Sequence, residues 1–510
     1  MTAPARSGDP GLARLADAIL IPPFGGRAAP GWVLDALRDG LGGVTVFGPN
    51  IADPAQLSAL TARLRSVATE PLIAIDEEGG DVTRIGHLVG SSYPGNAALG
   101  AVDDVVLTEA VYRALGTDLA ALGINVDLAP SVDVNTAADN PVIGTRSFGA
   151  DTALVARHAA AAVAGLQAAG VAACAKHFPG HGSTRIDSHD SIATVDVSLT
   201  VLAQRDLPPF SAAIAAGVRA VMPGHLRVPE LTGDLPASLS APAQTGLLRG
   251  ELGFTGVIIS DALEMRAVSK PFGLPEAAVL AVAAGTDLLC FGRDRRRDAF
   301  LAVRDALAAA VTSGRMPGAR LEEAAARVAE LRAWAAAARR GGRNQATADV
   351  GLAAARRAVR VTGAPPRPLR RPVLVEVVPP ANIAVGAVPW GLEAWVPADA
   401  VVRLGVGKGA TELARAADGA LTAAAGRPLV VVVRDAHRYP AARDVVTRLL
   451  AARPDAVVVE MGLPVWRPPN AVHVATYGAA LISGLAAAEV LGLAPAPTWL
   501  TRIGRANRPK

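Results

Sequence analysis

Short apolar runs rich in β-forming residues recur through residues 18–292, and stretches of helical composition separate them. The runs are continuous rather than alternating, which is typical of parallel strands that are covered on both sides. They are AILIPPF (18–24), GGVTVFG (42–48), PLIAID (71–76), INVDLAP (124–130), VAACAKHFP (171–179), RAVMPGH (219–225), GVIISD (256–261) and DLLCFG (287–292). Eight such runs predict an α/β fold, namely a TIM (β/α)8 barrel over residues 1–340. A doubly wound open sheet would show a similar alternation of strand and helix segments.

The pattern changes after the eighth run. Residues 298–340 are rich in Ala and Arg with helical periodicity. Residues 341–371 are predicted to be a linker, helical in part, that ends in the Pro- and Arg-rich stretch GAPPRPLRRP (363–372). Beyond it, PVLVEVV, LVVVVRD, AVVVEMG and AVHVATYG alternate with Ala-rich helical stretches. This alternation predicts a second, smaller α/β domain over residues 372–510. Its glycine cluster GVGKGA (405–410) lacks the spacing of a dinucleotide or phosphate loop and is interpreted as a turn.

Charge and composition narrow the class of protein. The 50 Lys and Arg residues nearly balance 46 Asp and Glu residues along the chain, so we expect no nucleic-acid partner. No run approaches the roughly 18 uncharged apolar residues of a membrane span, and the first 24 residues lack the pattern of a secretory signal. Cys174 and Cys290 each lie in an apolar run, which predicts two buried, reduced thiols. We therefore expect a cytoplasmic protein without a membrane partner.

Polar side chains cluster at one end of the predicted strands. Asp76, Lys176 with His177, His225 and Asp261 each follow or end an apolar run. Barrel enzymes place their sites at the carboxyl ends of the strands, where these side chains would meet. The sequence therefore predicts a functional site at this face.

The segment KHFPGHGSTRIDSHD (176–190) holds three of the eight histidines of the chain. One interpretation is a metal site in which His177, His181 and His189 are the ligands. The spacing argues against it, because Pro179 and Gly180 prevent the helix on which an H-x3-H pair would share a face. We expect no metal.

Two other interpretations of this loop remain. Its histidines could be structural, each hydrogen-bonded to backbone groups. Alternatively, Asp187 and His189 act together, because residues two apart in extended chain point the same way and a carboxylate can fix the tautomer of an imidazole. His189 would then transfer protons as a general acid/base.

Asp261 is the candidate nucleophile that such an acid/base would serve. It ends an apolar run, where a carboxylate has no packing role, but Glu264 three residues later also fits a helix-capping arrangement. The spacing leaves both interpretations open. A carboxylate nucleophile with a separate proton donor is the machinery of retaining glycoside cleavage.

Several motifs, in order along residues 12–335, resemble glycoside hydrolase family 3, and specifically its bacterial β-N-acetylglucosaminidase (β-hexosaminidase) branch. They are IDEEGGDVTRI (75–85), NPVIGTRSFG (140–149), KHFPGHGSTRIDSH (176–189), VMPGHLRVPEL (221–231), PASLS (236–240) and SDALEM (260–265). KHFPGHG followed by D-S-H is specific to this branch, which carries its acid/base on that barrel loop. The resemblance implies a TIM-barrel catalytic domain.

The resemblance also implies roles for individual residues. The catalytic residues would be Asp261 as nucleophile, His189 as acid/base and Asp187 as its orienting partner. The residues that bind the sugar ring would be Asp76, Arg84, Arg146, Lys176 and His177. No cofactor is implied. Three positions depart from the family's pattern: Glu77 replaces glutamine, Asp81 replaces a common arginine, and Ser183 replaces an aspartate.

The implied activity is that of a retaining exo-β-N-acetylglucosaminidase, acting through a covalent glycosyl-enzyme on N-acetylglucosaminides such as muropeptide fragments or chitooligosaccharides. A neutral imidazole base would repel an anion less than a carboxylate does, so a phosphorylase is one alternative. A catalytically silent sugar-binding barrel is another. Every implied catalytic group precedes residue 270, so we expect the second domain to be dispensable for bond breaking.

Overall fold

The structure is a computed structural model that describes residues 9–186, 192–292, 297–341, 349–364, 368–380 and 382–493. The chain packs into two compact units that are discontinuous in sequence. The first comprises the described residues of 1–77, 112–134 and 151–346, and the second comprises those of 78–111, 135–150 and 347–510. Two stretches that the strand pattern places inside the barrel sequence therefore belong to the second unit. The predicted boundaries at 340 and 371 stay predictions.

The first unit contains the strands of the barrel. They are β1 Leu20–Ile21, β2 Gly43–Val46, β3 Leu72–Ile75, β4 Val126–Asp127, β5 Ala172–Phe178, β6 Ala193–Thr194, β7 Ala220–Pro223, β8 Leu226–Arg227, β9 Val257–Ile258 and β10 Leu289–Cys290. Strands β2, β3, β4, β5, β7 and β9 form a parallel sheet in that order. The short strands β6 and β8 pair separately. All eight predicted runs thus contain a strand.

Strands β1 and β10 close the ring. They pair with each other in parallel. A parallel bridge between Ile259 and Leu288 connects the end of β9 to β10. On the other side, the amide of Thr45 in β2 donates to the carbonyl of Pro22, 3.3 Å away, just after β1. The prediction of a TIM barrel rather than an open sheet is confirmed.

Helices separate the strands, and several begin at a residue that caps them. They are α1 Pro10–Ala18, α2 Gly31–Asp39, α3 Pro54–Arg65, α4 Asn96–Val102, α5 Val105–Ala121, α6 Thr152–Ala168, α7 Leu199–Arg205, α8 Leu207–Ala215, α9 Pro229–Thr232, α10 Arg266–Phe272, α11 Leu274–Ala284, α12 Arg297–Thr312, α13 Gly318–Gly341, α14 Val350–Ala358, α15 Ala410–Ala423, α16 Pro440–Ala452 and α17 Leu481–Val490. Asp53 and Asp151 accept hydrogen bonds from the amides of Gln56 and Leu154, which fixes the starts of α3 and α6. Residues Pro242–Glu251 form a π-helix.

Strands β2, β3, β5 and β7 of the parallel sheet are buried along their whole length, as expected for parallel strands covered by helices. Cys174 in β5 and Cys290 in β10 are buried, free cysteines, and burial raises the pKa of both thiols. The prediction of two reduced thiols is confirmed.

The second unit contains a six-stranded sheet. Its strands are β11 Arg360–Thr362, β12 Val373–Val378, β13 Val401–Gly405, β14 Leu429–Val433, β15 Val457–Glu460 and β16 Val472–Ala475, in the order β11-β16-β15-β14-β12-β13. Strands β12 to β16 are parallel, and β11 is antiparallel to β16. Alternate residues of β12 face opposite sides, since Val373 and Val375 belong to one buried cluster and Leu374 to another. The predicted second α/β domain is confirmed, and helices cover both faces of its sheet.

Part of the predicted linker is regular structure. Helix α14 and strand β11 lie within residues 341–371. Strand β11 adds an edge to the second sheet by pairing Val361 with Val474. Its sequence, RVT, is too short to predict a strand between the Arg-rich helix before it and the Pro-rich stretch after it.

In the described part of the chain, no single helix has both the length and the apolar character needed to cross a membrane. Helices α10 and α11 meet that test only as a pair, which is bent by 105°.

Candidate functional site

An ion pair connects two neighbouring regions of the carboxyl face of the barrel. The ammonium of Lys176, in β5, lies 2.7 Å from Oδ1 of Asp76, which directly follows β3. The Lys176 side chain is 3% exposed and that of Asp76 is 24% exposed. Lys176 is therefore buried against its partner, while part of the Asp76 side chain stays exposed to solvent. Ionised groups of this kind form hydrogen bonds that are shorter and stronger than those between neutral groups.

A second carboxylate, Asp133, lies beyond the end of β4 and contacts the histidine-rich loop. It is fully buried and accepts hydrogen bonds from the ring Nδ1 of His177 at 2.8 Å and from the backbone amide of His181 at 2.7 Å. Burial alone would raise the pKa of Asp133, but the charge of His177 and the hydrogen bonds from both histidines outweigh burial and lower it. Because an ionised carboxylate only accepts, His177 must carry its proton on Nδ1.

The sequence analysis did not identify Asp133. The signal was present, since SVDVN (131–135) follows a predicted strand at its carboxyl end. Asp133 lies several residues beyond the strand, so a pattern that considers only the last residues of each apolar run does not include it.

His181 is buried within the loop, as the structural interpretation of the loop histidines expects. It is 1% exposed, and its Nδ1 lies 2.6 Å from the hydroxyl of Thr184. Its ring meets that of His177 edge to face, with the centroids 5.9 Å apart. The two rings and Thr184 therefore pack the first half of the loop.

Asp261 follows β9 and is partly exposed. Helix α10 begins only at Arg266, with Met265 at its N-cap, so Asp261 does not cap this helix. The Glu264 carboxylate instead accepts a hydrogen bond from the amide of Gly292, 2.6 Å away, just after β10. The capping interpretation of Asp261 is therefore wrong, and the carboxylate stands at a strand end without that role.

The peptide next to Asp261 is fixed by His225, which follows β7. His225 is fully buried, and its Nε2 lies 3.0 Å from the carbonyl of Ala262. A carbonyl only accepts, so Nε2 carries a proton, and Nδ1 lies within hydrogen-bond distance of the Ser238 hydroxyl, 2.7 Å away. His225 thus positions the backbone of the candidate nucleophile.

Asp127, in β4, differs from Asp133 although both are fully buried. Its Oδ1 accepts from the amide of Glu77 at 3.0 Å, whereas Oδ2 has no hydrogen-bond partner among the described residues. Burial raises the pKa of Asp127 well above its ordinary value, which favours the neutral carboxyl.

The two predicted arginines lie in the second unit. Arg146 donates from Nε and Nη2 to the two carboxylate oxygens of Glu78, at 2.9 and 2.7 Å, and is 8% exposed. Arg84 donates from Nη2 to the carbonyl of Ala384 at 3.1 Å. Both side chains are thus oriented, and Glu78 is a further residue that the sequence analysis did not assign.

The glycines of the segment that carries Glu78 allow its close packing. Gly80 has a φ of +58°, and a Cβ there would lie 2.4 Å from Cα of Gly95. The loop therefore requires glycine at position 80, because any other residue would be strained at this positive φ and its Cβ would clash with Gly95.

Asp187 and His189 lie outside the described residues, so their pairing stays a prediction. Among the residues that the structure describes, no three histidine, cysteine, aspartate or glutamate side chains form a group that could hold a metal ion.

Known proteins resemble this chain over the barrel and beyond it. The model of the glycosyl hydrolase family 3 N-terminal domain matches residues 33–331. Beta-hexosaminidase A of Pseudoalteromonas piscicida is 36% identical over 321 residues, which cover 58% of this chain and 54% of the relative. Beta-hexosaminidase LpqI of Mycobacterium tuberculosis is 38% identical over 265 residues, which cover 51% of this chain and 67% of the relative. The chain thus matches about half to two thirds of the length of these relatives.

A solved structure matches nearly the whole chain. It is a glycoside hydrolase family 3 beta-N-acetylglucosaminidase from Paenibacillus sp., which is 34% identical, with a TM-score of 0.83 and coverage of 95% of this chain and 97% of that one. The family model alone spans more than half of the chain. With its closed parallel barrel, this chain belongs to glycosyl hydrolase family 3.

Proposed function

We propose that the chain is a retaining exo-β-N-acetylglucosaminidase that hydrolyses terminal β-linked N-acetylglucosamine. The observation that carries the proposal is the placement of Asp261 and of the Asp76–Lys176 ion pair at the carboxyl ends of strands in one barrel. The names of the beta-hexosaminidase relatives and of the beta-N-acetylglucosaminidase structure agree with it.

The proposed reaction has two steps. Asp261 attacks the anomeric carbon while His189 gives a proton to the departing oxygen, so the glycosidic bond breaks and a glycosyl-Asp261 ester forms. His189 then takes a proton from water, which attacks the same carbon and releases Asp261. Asp187 orients the imidazole and stabilises its protonated form.

The other groups bind the sugar. Asp76 accepts hydrogen bonds from ring hydroxyls, and Lys176, which is neutralised by Asp76, donates to one of them. His177, whose Nδ1 proton is held by Asp133, presents the other edge of its ring. Arg84 and Arg146 complete the recognition of the sugar in this proposal. No cofactor is needed.

Small fragments of peptidoglycan or chitooligosaccharides are the proposed substrates. Both present a terminal β-linked N-acetylglucosamine, which is the only unit that an exo-acting site must recognise. The two classes differ in the group that leaves, so comparison of turnover on each identifies the natural one.

Product analysis tests the proposal. An aryl β-N-acetylglucosaminide is incubated with and without phosphate, and the products are followed by NMR, with the Asp261→Asn variant as a control for contaminating activity. Release of the β-anomer of free N-acetylglucosamine under both conditions supports the proposal. Dominance of N-acetylglucosamine 1-phosphate would assign a phosphorylase, and binding without turnover would assign a silent sugar-binding barrel.

A further inference from the structure

The second unit contains a buried carboxylate that the proposed chemistry does not use. Asp81, 6% exposed, lies in the loop that follows the double glycine. It accepts hydrogen bonds from the hydroxyl of Thr145 at 2.6 Å and from the amide of Ala479 at 2.7 Å, and it pairs with the guanidinium of Arg434 at 3.0 Å. Its charge is thus compensated by three donors from distant parts of the sequence.

The cation of this pair is as constrained as the anion. Arg434 directly follows β14, its side chain is 14% exposed, and its guanidinium lies over the ring of Trp390 at 5.9 Å from the centroid. A buried ion pair of this kind leaves an uncompensated charge when either partner is removed. Asp81 and Arg434 therefore depend on each other.

Arg434 also occupies a particular place in the sheet. Strand β12 lies between β13 and β14, and the chain turns to the other side of β12 after β13. In doubly wound sheets with this order, ligands bind at the carboxyl edge where the order reverses. At this edge of the second sheet, Arg434 contacts a carboxylate of the same chain, that of Asp81.

The segments that Asp81 joins carry the two arginines assigned to sugar binding. Arg84 is three residues after Asp81, and Arg146 directly follows Thr145. Asp81 stands where the family's pattern has a common arginine, so the charge at this position is negative instead of positive. Arg434 of the second sheet supplies the matching positive charge.

We infer that Asp81 is a positioning residue, whose pairing with Arg434 holds residues 78–86 and 140–149 so that Arg84 and Arg146 bind the sugar. The second sheet thereby becomes a required part of substrate binding, whereas the expectation that the second domain is dispensable for bond breaking stays a prediction. The expected effect on substrate binding rests on the proposed function. The ordering of residues 78–86 and 140–149 by Asp81 does not depend on the proposed function.

A double-mutant cycle in the full-length protein tests this inference, with Asp81→Asn, Arg434→Gln and the double variant. Each single variant is expected to raise KM for an aryl N-acetylglucosaminide by about 10-fold or more, with a smaller change in kcat. The double variant, which has no uncompensated charge, is expected to recover part of the loss, so the effects are not additive. Arg448→Gln is the matched control, because Arg448 forms a bidentate pair with Asp418 in the same unit, at 2.9 and 2.7 Å.

Hydrogen–deuterium exchange of the same variants separates this inference from the proposed activity. Faster exchange in peptides covering 78–86 and 140–149, in the single variants and not in Arg448→Gln, supports it even if the wild type cleaves no N-acetylglucosaminide. Lower melting temperatures with unchanged KM and unchanged exchange in these loops would overturn it, as would additive effects in the cycle.

Discussion

Asp133 holds His177 by a hydrogen bond of 2.8 Å from the ring Nδ1 to a fully buried carboxylate. Replacement by asparagine keeps the shape but removes the charge, and hydrogen bonds to charged groups are worth about 1.5–3 kcal/mol. We expect Asp133→Asn to lower kcat/KM by about 10- to 100-fold, measured with an aryl N-acetylglucosaminide.

The matched control is Asp127→Asn in the same region. Burial favours the neutral form of Asp127, so its replacement by a neutral amide is expected to change kcat/KM by less than about 3-fold. Equal losses in the two variants would contradict the distinction between an ionised and a neutral carboxyl.

Asp261→Ala removes the proposed nucleophile and closes the covalent route. We expect turnover to fall by at least about three orders of magnitude, while thermal denaturation shows a folded protein. Near-normal turnover in steady-state assays would rule out the nucleophile assignment.

His189→Ala is expected to slow substrates with poor leaving groups much more than activated aryl glycosides, whose phenolate departs with little help. General acid/base assistance is typically worth about 10² to 10⁴ in rate. Asp187→Ala is expected to show the same pattern more mildly, because the imidazole remains but is unanchored.

Azide provides the contrasting measurement for His189. As an anion that needs no base, it is expected to attack the glycosyl-enzyme and partly restore turnover in His189→Ala. Equal slowing of good and poor leaving groups, without rescue, would show that His189 binds the sugar instead of transferring its proton.

The pH dependence of stability is expected to reflect His473 in β16, which is 2% exposed. Burial, with a smaller effect of Arg467, lowers its pKa from 6.5 to about 4. The unfolded chain therefore binds a proton between these values that the folded chain does not, so this histidine makes the free energy of unfolding fall as the pH drops from 6.5 toward 4.

His473→Gln is expected to lessen this acid-induced loss by an amount on the order of 2–3 kcal/mol, measured by urea denaturation across that range. Above pH 7 the histidine is neutral in both the folded and the unfolded state. The difference in the free energy of unfolding between variant and wild type there gives the packing contribution alone. An unchanged slope between pH 6.5 and 4 would contradict the prediction.

The strands could be predicted from the sequence because parallel strands in a barrel are continuous apolar runs, and the proximity of Asp76 and Lys176 follows from their positions at carboxyl ends. The carboxyl-face position of Asp133 could be predicted in the same way, but the partners of Asp133 and Asp81 could not. Each depends on a partner that is distant in sequence, His177 for one and Arg434 for the other, and no local pattern encodes that proximity.

The discontinuity of the second unit also has a consequence for synthesis. Residues 78–111 and 135–150 leave the ribosome well before residues 347–510 of the same unit. The amide of Ala479 that binds Asp81 is 398 residues further along the chain. Contacts of such sequence separation form late in folding. We therefore expect the Asp81 loop to acquire its final conformation only after residue 479 has been synthesised.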